Sequence, residues 1–164
     1  MQNADKITIE LVPTATGDVR GLIRELDQEL AQEYTSEQRH GLTLEAIFQP
    51  HVRFFLARRN EEPVGCGGVA LFADFAEVKR MFVRSTARRR GVAQELLTRI
   101  EAEARSAGLT VLRLETGDRQ AAALRLYKQA GFQICPAFGV YAAMPPEAIA
   151  TSVFMEKLLR PISA

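Results

Sequence analysis

Cysteine and histidine are scarce here, two of each. Cys66 and Cys135 share neither a Cys-x-x-Cys spacing nor a metal-ligand spacing, so both read as plain reduced residues. His40 and His51 have no ligand partners beside them in sequence, and no metal is expected. Residues 1–6 contain no apolar core of a secretory signal, and no apolar run approaches membrane-spanning length, so the expectation is a cytoplasmic protein with no membrane partner. An excess of either charge is also lacking. Twenty-one basic and 20 acidic side chains leave a net charge of +1, which gives no general attraction to nucleic acid. Neither Gly-x-x-x-x-Gly-Lys-Ser/Thr nor Gly-x-Gly-x-x-Gly occurs, which removes the usual nucleotide-phosphate loops. With no repeat, low-complexity tract or interdomain linker, the 164 residues read as one domain, 1–164.

Against that balanced background the basic cluster Arg84, Arg88, Arg89 and Arg90 is local, and a local cluster suggests a local anion. It lies in a strand–turn–helix stretch running from Glu77 to Leu97. Gly91 closes the turn and lets the backbone approach a ligand. Ala93 keeps the start of the helix open. The first amides of a helix have no intrahelical partners, and the macrodipole adds partial positive charge, so such a turn is suited to a phosphate. Three arginines placed against the dipole make better sense with an anion bound.

Alternation predicts strands over 6–12, 51–59, 64–72, 77–83 and 109–115, a short strand over 132–134 and a last strand over 151–158. Helical spacing predicts helices over 18–34, with Asp18 as cap, over 88–107 and over 119–130. A short helix is expected over 42–48 and a proline-containing loop over 135–147. Gly108 and Gly131 stand where helices end. Gly65, Gly67 and Gly68 suggest a bulge or a close backbone approach in their strand. Three strands joined by short turns must be antiparallel, and a strand–helix–strand unit adds a parallel pair. The expected fold is α/β (α+β): a mixed, mostly antiparallel central sheet with helices on both faces.

Three features carry chemistry. The 77–83 strand bears Glu77, Lys79 and Arg80, where a central strand should be apolar. Either these charges pair with one another or with a helix, or the strand lines a polar cleft. The turn from Arg88 to Ala93 is the anion candidate. The third feature is Gln120 to Phe132, with Tyr127 one helical turn after Ala123.

Together these resemble the GNAT superfamily of acyl-CoA-dependent N-acetyltransferases. Its pyrophosphate motif Gln/Arg-x-x-Gly-x-Gly/Ala is matched by Arg88, Gly91 and Ala93, after a strand ending Met81-Phe82-Val83. Its later Asn-x-x-Ala-x-x-Leu-Tyr-x-x-x-Gly-Phe helix is matched by Gln120, Ala123, Leu126, Tyr127, Gly131 and Phe132, with Gln in place of Asn. Ser85 stands where a proline is frequent, and Arg89 where a glycine is. Residues 64–134 match closely, and the element order matches loosely.

The resemblance implies acetyl-CoA as co-substrate. Backbone groups of Met81, Phe82 and Val83 would hold the pantetheine arm, and amides of Arg89, Arg90, Gly91, Val92 and Ala93 the pyrophosphate, with Arg88 leading in. Gln120 and Ala123 would lie beside the cofactor and Tyr127 at its sulfur. Glu77 is the expected base for a small-molecule or peptide amine acceptor, and Tyr127 the proton donor to the leaving thiolate. The loop over 135–147 and the last strand could serve a homodimer contact. A non-catalytic acyl-CoA-binding module is the alternative reading, and a covalent route through either cysteine has no matched motif.

Overall fold

Two glycines decide how the middle of the sheet is built. In the computed structural model, which describes residues 5–161, strands β1 (Ile7–Leu11), β2 (Val52–Arg59), β3 (Glu62–Leu71) and β4 (Ala76–Val83) form an antiparallel meander. A Cβ on Gly68 would crowd the Phe54 ring, and one on Gly65 would crowd the carbonyl of Phe82. Neighbouring backbones and rings therefore approach more closely than any side chain would permit. Between the pairs Cys66–Phe82 and Gly68–Lys79, β3 spends one residue and β4 spends two, Arg80 and Met81. The extra residue is a β-bulge, and Arg80 takes a left-handed backbone, φ 54°.

After the 3₁₀ turn Ser85–Ala87, helix α2 (Val92–Ser106) crosses to β5 (Val111–Gly117), which runs parallel to β4. Helix α3 (Ala121–Gln129) then leads to the two-residue edge strand β6 (Gln133–Ile134). A 3₁₀ turn (Gly139–Ala143) and a four-residue helix α4 (Pro146–Ile149) precede β7 (Ser152–Leu158). The last strand inserts between β5 and β6, giving the order β1-β2-β3-β4-β5-β7-β6. One parallel pair and five antiparallel ones make the sheet mixed and mostly antiparallel.

Helices cover both faces. On one, Val92, Leu96, Leu97, Ile100 and Ala104 of α2 pack with Phe55, Val78, Leu112, Leu114 and Met155, joined by Tyr127 of α3. On the other, α1 (Gly17–Glu33) buries Val19, Leu22, Ile23 and Leu26 against Phe54, Leu56, Cys66 and Phe82. Each such side chain contributes on the order of 2 kcal/mol of burial. A third cluster, Phe138, Tyr141 and Phe154, roofs the β5–β7 end of that same face.

Several boundaries differ from the sequence reading. Thr16 rather than Asp18 caps α1, because its hydroxyl accepts from the amide of Val19 while Asp18 turns to Arg58. Residues 42–48 supply only a single 3₁₀ turn, Ala46–Phe48. The loop predicted over 135–147 contains the Gly139–Ala143 turn and the start of α4. Helix α2 starts at Val92, not Arg88, because Gly91 sits at its N-cap with φ 83°.

Candidate active site

The parallel pairing of β4 and β5 stops almost as soon as it starts. Among the described residues only Ala76–Leu112 and Glu77–Arg113 are in register, and from Val78 to Val83 strand β4 has no described strand neighbour on that side. The bulge at Arg80 and Met81 helps turn the strand away. A wedge therefore opens between two strands, edged by peptide groups that no strand satisfies. Backbone polar groups in such a place need a partner, and an extended chain carrying amides would supply one.

The wedge leads to the turn before α2. Arg89 and Gly91 both have left-handed backbones, with φ 63° and 83°. Among the described residues no side chain caps α2, so its first amides can meet a ligand. Left-handed residues next to unpaired amides form the kind of concavity that binds anions.

The arginine side chains behave otherwise than expected. Arg84 pairs with Glu25 at 2.8 Å and Arg88 with Glu29 at 3.1 Å, both carboxylates on α1, and Arg90 lies 3.7 Å from Asp5. Arg88, Arg89 and Arg90 precede the helix rather than opposing its dipole from within. What the turn could offer an anion thus lies in its backbone amides.

The profile of the Acetyltransferase (GNAT) family matches residues 21–132. The chain belongs to this family. A GNAT relative from Azospirillum brasilense, an IAA acetyltransferase, is 46% identical over 140 residues, covering 84% of this chain and 88% of its own length. A Klebsiella pneumoniae protein, assigned as an acyl-CoA N-acyltransferase, has a solved structure that superposes with a TM-score of 0.75 at 33% identity. The match covers 94% of this chain and 98% of that one. The PaiA N-acetyltransferase of Thermoplasma acidophilum, solved in complex with coenzyme A, shares the fold at a TM-score of 0.69 and 17% identity, over 93% and 99% of the two chains.

In this GNAT acetyltransferase, Glu77 is buried on β4, with only 3% of its surface exposed. Its Oε2 accepts from Tyr141 Oη at 2.7 Å and lies 2.8 Å from Lys79 Nζ, which also donates to Tyr141 Oη at 2.9 Å. Arg80, also directed to the α1 side, pairs with Asp27. Of the two readings of these charges, the structure shows the pairing, with one another and with a helix. Met81 and Val83 pack toward the α2-side core and Phe82 toward the α1-side core. Their peptide edge faces the wedge.

Gln120 stands at the N-cap of α3, and half-buried Ala123 packs against the same core as Tyr127. Tyr127 is buried edge-on against Phe132 at 5.7 Å, and its hydroxyl has no hydrogen bond among the described residues. Burial, and then the charge of Glu115, push its phenol well above the ordinary range.

Sequence reasoning missed Glu115, Tyr141, His40 and Tyr34. Glu115, on β5, accepts from Ser152 Oγ at 2.6 Å, and its charge reaches Tyr127, Tyr141, Lys79 and Glu77. Desolvation raises its carboxyl above the usual range. A carboxylate within a strand of the sheet's interior was the available signal, as it was for Glu77. Tyr141 comes from a loop with no periodicity and left no signal. His40 Nε2 lies 2.7 Å from the carbonyl of Ala148 and its ring is edge-on to Tyr141, so the segments around 40 and 148 meet above the cluster.

Tyr34 Oη accepts from the amide of Arg119 at 2.7 Å, in a space that a Cβ on Gly117 would occupy. Burial pushes the Cys66 thiol up to about 12 and raises the thiol of Cys135 too, so neither is an activated nucleophile. Among the described residues no group of three His, Cys, Asp or Glu side chains is placed to hold a metal. No helix there is long and apolar enough to cross a membrane.

Proposed function

We propose that this protein transfers an acetyl group from acetyl-CoA to the amine of a small-molecule or peptide acceptor, by direct attack with both substrates bound, in the cytoplasm. The observation that carries the reading is the wedge between β4 and β5, which ends at the left-handed, uncapped start of α2. It fits an extended amide-bearing arm that terminates in phosphates. The PaiA enzyme solved with coenzyme A shares this fold. When bound, acetyl-CoA supplies the thioester whose acetyl group is transferred.

The chain's own residues divide the work. The peptide edge of Met81, Phe82 and Val83 extends the sheet to the pantetheine. Amides of Arg89, Arg90, Gly91, Val92 and Ala93 receive the pyrophosphate, with Arg88 beside them and Gln120 and Ala123 along the other wall. A lysine-type amine has a pKa near ~10.4 and must lose a proton before it attacks. Glu77 takes that proton. An amide of the wedge meets the developing oxyanion.

Tyr127 acts by hydrogen bonding to the sulfur. An ordinary phenol near ~10 is a weaker acid than a thiol near ~8.5, so full proton transfer to the thiolate is uphill, and burial makes it more so. The test is thiol release from acetyl-CoA with a panel of amines, alongside calorimetric titration with coenzyme A. Amine-dependent release supports the reading. Tight coenzyme A binding with no release for any amine counts against catalysis, and no binding removes the cofactor assignment.

A further inference from the structure

We propose that Tyr141 and Lys79 are positioning residues for Glu77, so that the segment over 138–149 completes the reaction centre as well as covering it. The inference rests on the reading of Glu77 as the base. Three side chains close a ring: Tyr141 Oη to Glu77 Oε2 at 2.7 Å, Lys79 Nζ to the same oxygen at 2.8 Å, and Lys79 Nζ to Tyr141 Oη at 2.9 Å. Both donors fall on Oε2. Oε1 takes no hydrogen bond among the described residues, and it remains the oxygen that can receive a proton from an incoming amine. The ring fixes the carboxylate rotamer and leaves Oε1 as the oxygen without a described donor.

Packing alone does not account for Tyr141. Its ring lies 5.3 Å from those of both Phe138 and Phe154, within a cluster that also holds Phe75. A phenylalanine would suit such a site, and placing a hydroxyl there requires a partner to offset its desolvation. The partner is a carboxylate on β4, 64 positions away in the chain. Burial and the charge of Glu77 hold the phenol far above its ordinary range, so it remains protonated and a donor.

The other charged groups around the cluster are otherwise engaged. Arg113, in register with Glu77, turns to Glu156 at 3.3 Å and stacks on Phe75 and Phe138. Glu115 is held by Ser152, and His40 by the carbonyl of Ala148. Lys79 is therefore the cation that acts on Glu77 from its own strand, and Tyr141 is the donor brought from elsewhere.

The experiment compares wild type, Glu77→Gln, Tyr141→Phe and the double variant in pH–rate profiles with one amine that supports thiol release. Tyr141→Phe keeps the ring and removes the hydroxyl. It should lower kcat about tenfold at neutral pH and move the acid limb to higher pH, since a carboxylate stripped of a donor holds its proton longer. The KM for acetyl-CoA should stay within about twofold. Added to Glu77→Gln, it should cost less than about twofold, because a residue acting through another has nothing left to act on. Lys79→Gln should move the acid limb in the same direction and gives an independent reading.

An unmoved acid limb in both single variants, or effects that multiply in the double variant, sinks the positioning role and leaves the base reading intact. Wild-type activity and profile in Glu77→Gln sinks both.

Discussion

Burial sets what Tyr127 can do. Its phenol is held neutral by desolvation, and the charge of Glu115 opposes ionisation further. Tyr127→Phe should lower kcat about ten- to a hundredfold with the KM for acetyl-CoA nearly unchanged, the pattern of an interaction made mainly in the transition state. Steady-state kinetics check this, and an intact kcat removes Tyr127 from the mechanism. Glu115 gives a stability prediction. Its carboxyl is raised in the folded protein, by burial first, so the native state binds the proton more tightly than the unfolded chain. That contribution is present below the unfolded value and is lost as pH rises through the folded one. Glu115→Gln keeps an acceptor for Ser152 and removes the titration. The Tm difference, variant minus wild type, should therefore increase from pH 4 to pH 8 in melting curves, and a flat difference counts against the assignment.

The elements show where sequence was informative and where it was not. Helix α2 and its stop at Gly108 were legible because Val92, Leu96 and Ile100 recur at helical spacing and φ 79° at Gly108 suits only glycine well. The start of α2 was misplaced because nothing in three consecutive arginines shows where a turn ends. The roles of those arginines were not legible either, since their partners Glu25 and Glu29 lie on α1, far away in sequence. Glycine 91 can be tested directly. A Cβ there would meet nothing within 4 Å, so Gly91→Ala pays only for a left-handed backbone, about 1–2 kcal/mol. The Tm should fall accordingly. The calorimetric Kd for coenzyme A should weaken more than that of a control such as Gly17→Ala, whose added Cβ also meets nothing. Equal affinities would show that the turn's conformation does not matter to the ligand.

For the molecule as a whole, alternation and short turns made the β2–β4 meander and the parallel crossover to β5 readable, while the pairing of β1 with β2 across α1 was not. The family motifs made membership of the GNAT family readable as well. The insertion of β7 between β5 and β6 was not readable, because its register joins Val111 to Leu158 and Gln133 to Glu156 across long loops that carry no periodic signal. The roof over Glu77 was hidden for the same reason: Tyr141 and His40 reach it through tertiary packing alone. The two-pair seam between β4 and β5 has a mechanical consequence. The sheet is two leaves, β1–β4 and β5–β7–β6, stitched at Ala76 and Glu77 and otherwise held by the helices. Without ligand, amides of β4 that face the gap should exchange hydrogen for deuterium faster than those bonded to β3, and coenzyme A should slow the former selectively. At 100 times Kd the ligand should add about 2.7 kcal/mol of stability. Uniform exchange along β4, unchanged by coenzyme A, would mean that the leaves do not part. On the proposed reading, bound coenzyme A would be a removable eighth strand beside β4, and the chain would be stiffest while loaded for reaction.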